Sequence, residues 1–239
     1  MVRKMINDSC LLLLRAQADN QKDRQQRFEN YRGKIIECPL VKISVDFTWS
    51  EQKMLELERA NTLFFTSKYG VKIFFHLCFK QKISHQMLAN YRYVCIGEQT
   101  KKAILEVVTP VQGVFVSKNL SAIKMEEEWL GKSSKVILGE WLWISGNLSA
   151  DLRYPDTFIQ WRIYQNQAVS GYEKLLMSCL KQHNITDVFV SSPSIFKRFY
   201  EIANECLQIE SLRFFVLGET TTKAIQQKNP KIKKIQEIK

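Results

Sequence analysis

One local unit recurs along this chain: an apolar run halts at a glycine or a hydroxyl pair and passes straight into a helix. Arg213-Phe-Phe-Val-Leu-Gly-Glu-Thr-Thr-Thr-Lys223 is its clearest copy. Tyr93-Val-Cys-Ile-Gly-Glu-Gln-Thr-Lys-Lys-Ala103 repeats the order, with Gly97 and Thr100 where the first has Gly218 and Thr221 or Thr220. One strand and helix earlier in each half stands a second pair, Leu63-Phe-Phe-Thr-Ser67 and Val188-Phe-Val-Ser-Ser192, the latter followed by Pro193. A hydroxyl at a helix start is common, because Ser and Thr cap helices. Capping explains each turn alone but not two pairs in the same order, which point to an internal duplication.

The spacing between these turns predicts an alternation of strands and helices, hence parallel sheets covered on both faces. Leu11–Leu14 reads as a first, fully apolar strand. A polar helix is expected over 19–32, capped by Asp19 and stopped by Gly33, with Phe28 and Tyr31 facing inward. Residues 34–45 read as extended, and Pro39 excludes a central strand there. Helices are expected near 50–59, 69–80, 85–90, from about Thr100, and over 121–129. A short strand is expected at 114–116 and a longer one at 136–144, which breaks at Ser145-Gly146-Asn147. Phe158–Val169 alternates apolar and polar residues, the pattern of a strand with one exposed side. Helices near 171–183 and 195–206, strands ending at Ser192 and at 217, and a last helix complete the chain. Ligands of such sheets bind beyond the carboxyl ends of the strands. Ser67, Thr100, Ser145, Ser192 and Thr220 are therefore expected along one side of each domain, lining one cleft if the domains face each other.

The chain has 239 residues, 45% of them hydrophobic, enough for two modest domains with ordinary cores. No apolar run approaches the ~20 residues of a membrane helix. Cys10–Leu14 is too short for a secretory signal and is closed by Arg15, so a cytoplasmic protein is expected. The six cysteines, Cys10, Cys38, Cys78, Cys95, Cys179 and Cys206, form no C-x-x-C pair and read as small hydrophobes in a reducing compartment. The three histidines are scattered without metal-ligand spacing, so no metal is expected. The balance of 35 basic to 24 acidic residues, a net charge of +11, argues for an anionic partner. The lysine-rich stretch Lys228–Lys234 reads as solvated surface.

No Ser–His–Asp arrangement, P-loop or G-x-G-x-x-G occurs. What remains is a set of neutral donors: hydroxyls, backbone N–H groups and the positive ends of helices. Such a set binds several carboxylates or phosphates without the cost of burying many cationic side chains.

Taken together these motifs resemble the uroporphyrinogen-III synthase family. The matching pieces are Leu11 to Arg15, Phe64-Phe-Thr66-Ser67, Ile96-Gly97-Glu-Gln-Thr100, Ser145-Gly146-Asn147-Leu, Ile163-Tyr164-Gln, Val190-Ser-Ser192-Pro193-Ser and Leu217-Gly218-Glu-Thr220-Thr221. The resemblance implies an α/β fold of two similar flavodoxin-like parallel-sheet domains joined by a two-stranded connector. Residues 1–35 and 170–239 would form one domain, 45–157 the other, and 36–44 with 158–169 the connector. It implies cyclisation of hydroxymethylbilane, a linear tetrapyrrole with eight carboxylates, with loss of water and inversion of the last pyrrole ring. The substituted carbon of that ring must attack the cationic methylene, through a spiro intermediate. Holding the reacting atoms in that orientation is worth up to about 7–11 kcal/mol.

The resemblance assigns Tyr164 as the catalytic residue, able to protonate or orient the leaving hydroxyl, or else a connector tyrosine that merely packs. Arg15, Thr66, Ser67, Gly97, Thr100, Ser145, Gly146, Asn147, Ser192, Pro193, Gly218, Thr220 and Thr221 match positions at the substrate. Arg15 could equally brace its own domain. No metal or organic cofactor is implied, and a monomer is expected, without nucleic acid or membrane partners. Gln99, Lys68-Tyr69 and the short lysine-rich tail depart from the family pattern. A non-catalytic two-lobed anion-binding module is the alternative. A nucleic-acid binder rests on charge alone, with no basic stripe of interleaved aromatics.

Overall fold

The computed structural model describes residues 9–117, 140–149 and 158–238. The expected helix over 121–129 and the first part of the strand at 136–144 lie outside them. Along the chain run β1 (Cys10–Leu13), α1 (Gln17–Gln26), β2 (Lys34–Glu37), β3 (Val41–Val45), α2 (Glu51–Arg59), β4 (Ala60–Phe65) and α3 (Lys68–Lys80). Next come α4 (His85–Asn90), β5 (Arg92–Ile96), α5 (Glu98–Leu105), β6 (Val114–Ser117), β7 (Glu140–Gly146) and β8 (Phe158–Ala168). The last are α6 (Tyr172–Gln182), β9 (Asp187–Val190), α7 (Pro193–Ala203), β10 (Arg213–Val216), α8 (Glu219–Lys228) and β11 (Ile235–Glu237).

The chain packs as two compact units, Met1–Ile43 with Gln167–Lys239, and Ser44–Asn166. The first holds a five-stranded sheet in the order β11-β10-β9-β1-β2, parallel at every neighbouring pair. Counted in chain order these strands stand as 2-1-3-4-5, the flavodoxin order. The other sheet runs β3-β8-β7-β4-β5-β6, and β8 through β6 pair in parallel. Counting β7 and β8 first turns that run into 2-1-3-4-5 again. Five strands of the second unit are thus a cyclic permutation of the first. β4 answers to β9, β5 to β10, β7 to β1 and β8 to β2. The duplication legible in the turns is a duplication of topology.

Central strands are apolar on both faces because helices cover both. In β1, Leu12 joins Phe196, Phe199 and Phe214 on one side, while Leu11 and Leu13 meet Phe28, Phe189 and Phe215 on the other. In β4, Phe64 packs with Val94, Trp141 and Trp143, and the Phe65 ring lies near those of Phe74, Phe75 and Tyr93. Each such burial contributes about 1.5–3 kcal/mol.

Three expectations need correction. Helix α1 starts at Gln17 behind Ala16, which gives no side-chain cap. Asp19 lies in its first turn and binds Arg15, and the helix ends at Gln26, well before Gly33. The lysine-rich tail is more than solvated surface: Ile232 is buried and β11 adds a parallel edge strand to β10. Helix α7 begins at Pro193, two residues before the expected start, because Ser192 caps it and Pro suits a first helical position.

At the amino ends of β9 and β10 lies a buried polar cluster. Asp187 accepts hydrogen bonds from Tyr31 (2.6 Å), Thr186 (2.8 Å) and Arg213. Burial alone would raise the Asp187 carboxyl, but these donors outweigh it and hold the group below its ordinary value. The same carboxylate and burial push the Tyr31 phenol up. This cluster stands at the sheet end opposite the hydroxyl turns and braces the first unit.

Candidate functional site

In the second unit, β7, β4 and β5 are neighbours. Their carboxyl ends lead into Ser145-Gly146-Asn147, Thr66-Ser67 and Gly97, so sheet order alone brings these turns together. In the first unit the neighbours β1, β9 and β10 lead into Arg15, Ser192-Pro193 and Gly218. The two sets correspond strand for strand.

In each unit the helix after one central strand is capped by a serine, and the helix after the neighbouring strand has no side-chain cap. Ser67 Oγ accepts from the Gly70 N–H (3.1 Å) at the start of α3, and Ser192 Oγ from the Ile195 N–H (3.4 Å) at the start of α7. Gly97 and Gly218 precede α5 and α8 with no side-chain cap. Those first turns keep N–H groups for an acceptor outside the helix, at the positive end of its dipole.

The second unit adds a phenol. Tyr164 lies in β8, where the pairing with β7 slips: Ser145 pairs with Arg162, and Gly146 with Tyr164. The extra residue, Ile163, makes a bulge and breaks the strand's alternation, so Ile163 and Tyr164 are both buried. The Tyr164 ring lies over Gly146, where a Cβ would stand 2.4 Å from the ring. Its Oη is 2.8 Å from Ser67 Oγ, and the Tyr69 ring is 6.3 Å away. Burial pushes the phenol up and the Ser67 hydrogen bond pulls it partly back, so Tyr164 keeps its proton at neutral pH. A protonated phenol beside a helix start can donate a proton and tolerate the charge that remains.

A family model described as Uroporphyrinogen-III synthase HemD matches residues 22–237. The chain belongs to the uroporphyrinogen-III synthase family. A crystal structure of a mutant uroporphyrinogen III synthase from the extremely thermophilic bacterium Thermus thermophilus matches 92% of this chain and 88% of that one, at 10% identity and a TM-score of 0.60. The wild-type enzyme in another crystal form matches over the same shares at 10% identity and a TM-score of 0.46. The fold likeness rests on the first. No curated protein sequence matches at a significant level. Family membership makes the chain a cyclising enzyme of haem biosynthesis acting on a linear tetrapyrrole.

Against that function the expected residues divide. Thr66, Ser67, Asn147, Ser192 and Gly218 are half-exposed at the turns, and Pro193 and Thr220 are exposed. Others face inward. The Ser145 hydroxyl is wholly buried, donating to the Trp161 carbonyl (3.3 Å) and accepting from Gln160 (3.0 Å), which removes it from any substrate. Thr100 and Thr221 are also buried, inside the first turns of α5 and α8. Arg15 is buried between Asp19 (2.8 Å) and Asp23 (2.6 Å), and its own N–H donates to Asn20. With both carboxylates engaged, it braces the β1–α1 turn. Gly146 has a Tyr164 ring where its side chain would be.

Two neighbours escaped the sequence reading. Asn166 is tied to Asn147 through a 2.7 Å bond from its N–H, and Tyr69 flanks Tyr164. The trace of Tyr69 in the sequence is the pair Lys68-Tyr69 after Ser67, where the family pattern departs. Among the described residues no group of three His, Cys, Asp or Glu side chains could hold a metal ion, and no helix is long and apolar enough to cross a membrane.

Proposed function

We propose that this uroporphyrinogen-III synthase works as a hydro-lyase whose acid is the Tyr164 phenol. The observation that carries the reading is the buried Tyr164 Oη, 2.8 Å from Ser67 Oγ, at the end of the sheet where Thr66, Gly97 and Asn147 also gather. Tyr164 gives its proton to the hydroxymethyl oxygen of hydroxymethylbilane. The C–O bond breaks, water leaves, and the methylene carbon is cationic. The substituted carbon of the last pyrrole attacks it and forms the spiro intermediate. The older bond between that carbon and the neighbouring methylene then breaks, the methylene so freed bonds to the ring's unsubstituted α-carbon, and the macrocycle is closed with the last ring inverted. The proton lost from that α-carbon as the pyrrole regains its aromaticity returns to the phenolate, so the enzyme ends as it began.

In each unit taken by itself, the uncapped helix start (after Gly97 or after Gly218) and the nearby hydroxyls (Thr66, or Ser192 and Thr220) suit carboxylates of the substrate. A net charge of +11 raises the local concentration of such a polyanion. Without an enzyme the chain closes to the uninverted type I ring, so catalysis consists largely of orientation. The protein acts as a monomer in the cytoplasm. The test supplies hydroxymethylbilane and separates the ring isomers. Predominance of type III is the expected result. Tight binding with only the type I ring overturns it in favour of a non-catalytic anion-binding module.

A further inference from the structure

Three residues that the family resemblance places at the substrate have their atoms directed at Tyr164. Gly146 is the residue opposite Tyr164 across the β7–β8 pair, and a Cβ on it would lie 2.4, 2.5 and 3.0 Å from three atoms of the Tyr164 ring. No real Cβ tolerates such contacts, and neither an aromatic ring nor the β7 backbone can yield by that much. Asn147 holds the backbone of the same segment. Its N–H donates to the Tyr164 carbonyl (3.1 Å), and its side-chain oxygen accepts the Asn166 N–H (2.7 Å). Its amide nitrogen donates to the Asn166 carbonyl (3.4 Å). The Asn147 side chain thus stands in for a strand partner where the bulge has thrown the regular ladder out of step.

Ser67 addresses the other end of the residue. Its Oγ accepts the Gly70 N–H and meets Tyr164 Oη at 2.8 Å. With that N–H fixing one side of the oxygen, the serine proton is free to turn to the phenol oxygen. A hydroxyl donated there stabilises the phenolate left after proton transfer, and the adjoining start of α3 adds its dipole. With the Ser67 hydroxyl donating to the phenol oxygen, the phenol proton is left to be given to another acceptor.

We propose that Gly146, Asn147 and Ser67 are positioning residues for the Tyr164 phenol, acting through it and not as ligands of the substrate. Gly146 supplies space for the ring, Asn147 fixes the strand that carries it, and Ser67 sets the direction and acidity of its hydroxyl. The proposal rests on the reading of Tyr164 as the acid, and its test separates the two.

The full-length protein is made as Gly146→Ala, Asn147→Ala, Ser67→Ala and Ser67→Thr, each alone and in a Tyr164→Phe background. Two readouts are taken. The first is steady-state turnover of hydroxymethylbilane. Each single alanine variant is expected to lower kcat about 10- to 100-fold, the scale of a displaced catalytic group, with KM nearly unchanged. Ser67→Thr, which keeps the hydroxyl and the helix cap, restores most of the rate. In the Tyr164→Phe background none of the changes causes a further loss. Losses that multiply with Tyr164→Phe, or a raised KM at unchanged kcat, overturn the proposal and make these residues direct ligands.

The second readout uses no substrate. In protein labelled with carbon-13 at the tyrosine ζ-carbon, the Tyr164 resonance is the one that disappears in Tyr164→Phe. It is expected to shift in all three alanine variants and to return in Ser67→Thr. A resonance that stays put in Ser67→Ala and Asn147→Ala overturns the proposal even if Gly146→Ala does not fold. If the wild-type chain yields only the type I ring, the reading of Tyr164 as the acid fails, and the resonance alone decides whether these residues position the phenol.

Discussion

Ser67 and Ser192 hold equivalent places in two copies of one topology, yet they keep different company. Both follow a central strand, β4 or its counterpart β9, and both cap the next helix through the N–H three residues on. The second partner of Ser67 is the Tyr164 phenol at 2.8 Å, and that of Ser192 is the Ser194 hydroxyl at 3.1 Å. The difference comes from a third strand. β8 runs from Phe158 to Ala168 and carries a bulge that returns Tyr164 to the turn. Its counterpart in the first unit, β2, stops at Glu37 after four residues, and the Glu37 side chain meets Gln17 and Arg24 of α1. Both units keep an uncapped helix start after a Gly-Glu turn, and the longer β8 sets a phenol beside the serine turn of one of them.

The largest effect that follows is an asymmetry between these serine turns. Tyr164→Phe keeps the ring over Gly146 and removes only the proton, so kcat is expected to fall about 100-fold, the low end for general acid catalysis, with little change in KM. Ser192→Ala in the other copy is expected to raise KM a few-fold and leave kcat nearly intact. Steady-state kinetics on the two variants checks both. An unchanged rate in Tyr164→Phe removes the phenol from the mechanism, and a large fall in kcat for Ser192→Ala would mean that the units share the chemistry.

The units also differ at the far ends of their sheets. β9 opens with the buried Asp187 and its three donors, whereas β4 opens with Ala60, and its Thr62 donates to Asn61. Arg213 is 45% exposed, so solvent screens its ion pair, and the hydrogen bonds from Tyr31 and Thr186 count for more. Asp187→Asn is expected to cost about 2 kcal/mol at neutral pH. The carboxyl is held below its unfolded value, so its contribution is complete above about pH 4 and is lost as the pH falls through the lower, folded value. Urea unfolding of wild type and variant should therefore differ at pH 7 and converge toward pH 2. A difference that stays constant over that range would show that the charge of Asp187 is irrelevant to it.

Much of this architecture is legible in the sequence, for reasons that differ by element. Glycine and hydroxyls interrupt apolar runs at Ser67, Gly97, Ser192 and Gly218, and a strand-to-helix turn needs that interruption wherever it occurs. Local chemistry therefore reports those turns. The bulge at Ile163 is not local: it depends on how β8 pairs with β7, and Phe158–Val169 alone reads as regular alternation. Ser145 looks like its fellow hydroxyls in one dimension, but the same pairing places it on the inner face against Trp161. β11 hides among lysines because an edge strand needs few buried side chains, here Ile232 beside it and part of Ile235. Arg15 invites both readings until α1 is known to start at Gln17, which puts Asp19 and Asp23 on the face turned toward it.

The smallest predicted difference concerns the two Gly-Glu turns, which look alike in sequence and differ in backbone. Gly97 has φ 78° and ψ 149°, a region almost closed to other residues, while Gly218 is extended at φ 171° and ψ 170°. Around either glycine an added Cβ would meet nothing within 4 Å, so contacts contribute no cost and the dihedral angles alone decide. Gly97→Ala is expected to destabilise by about 1–2 kcal/mol. Gly218→Ala is expected to fall within about 0.5 kcal/mol of wild type, because the entropy lost by the unfolded chain favours alanine wherever the native angles suit it. Thermal or urea unfolding of both variants measures the gap. Equal costs would mean that the two turns share one conformation, and the likeness of the two units would then extend to the backbone of their uncapped helix starts.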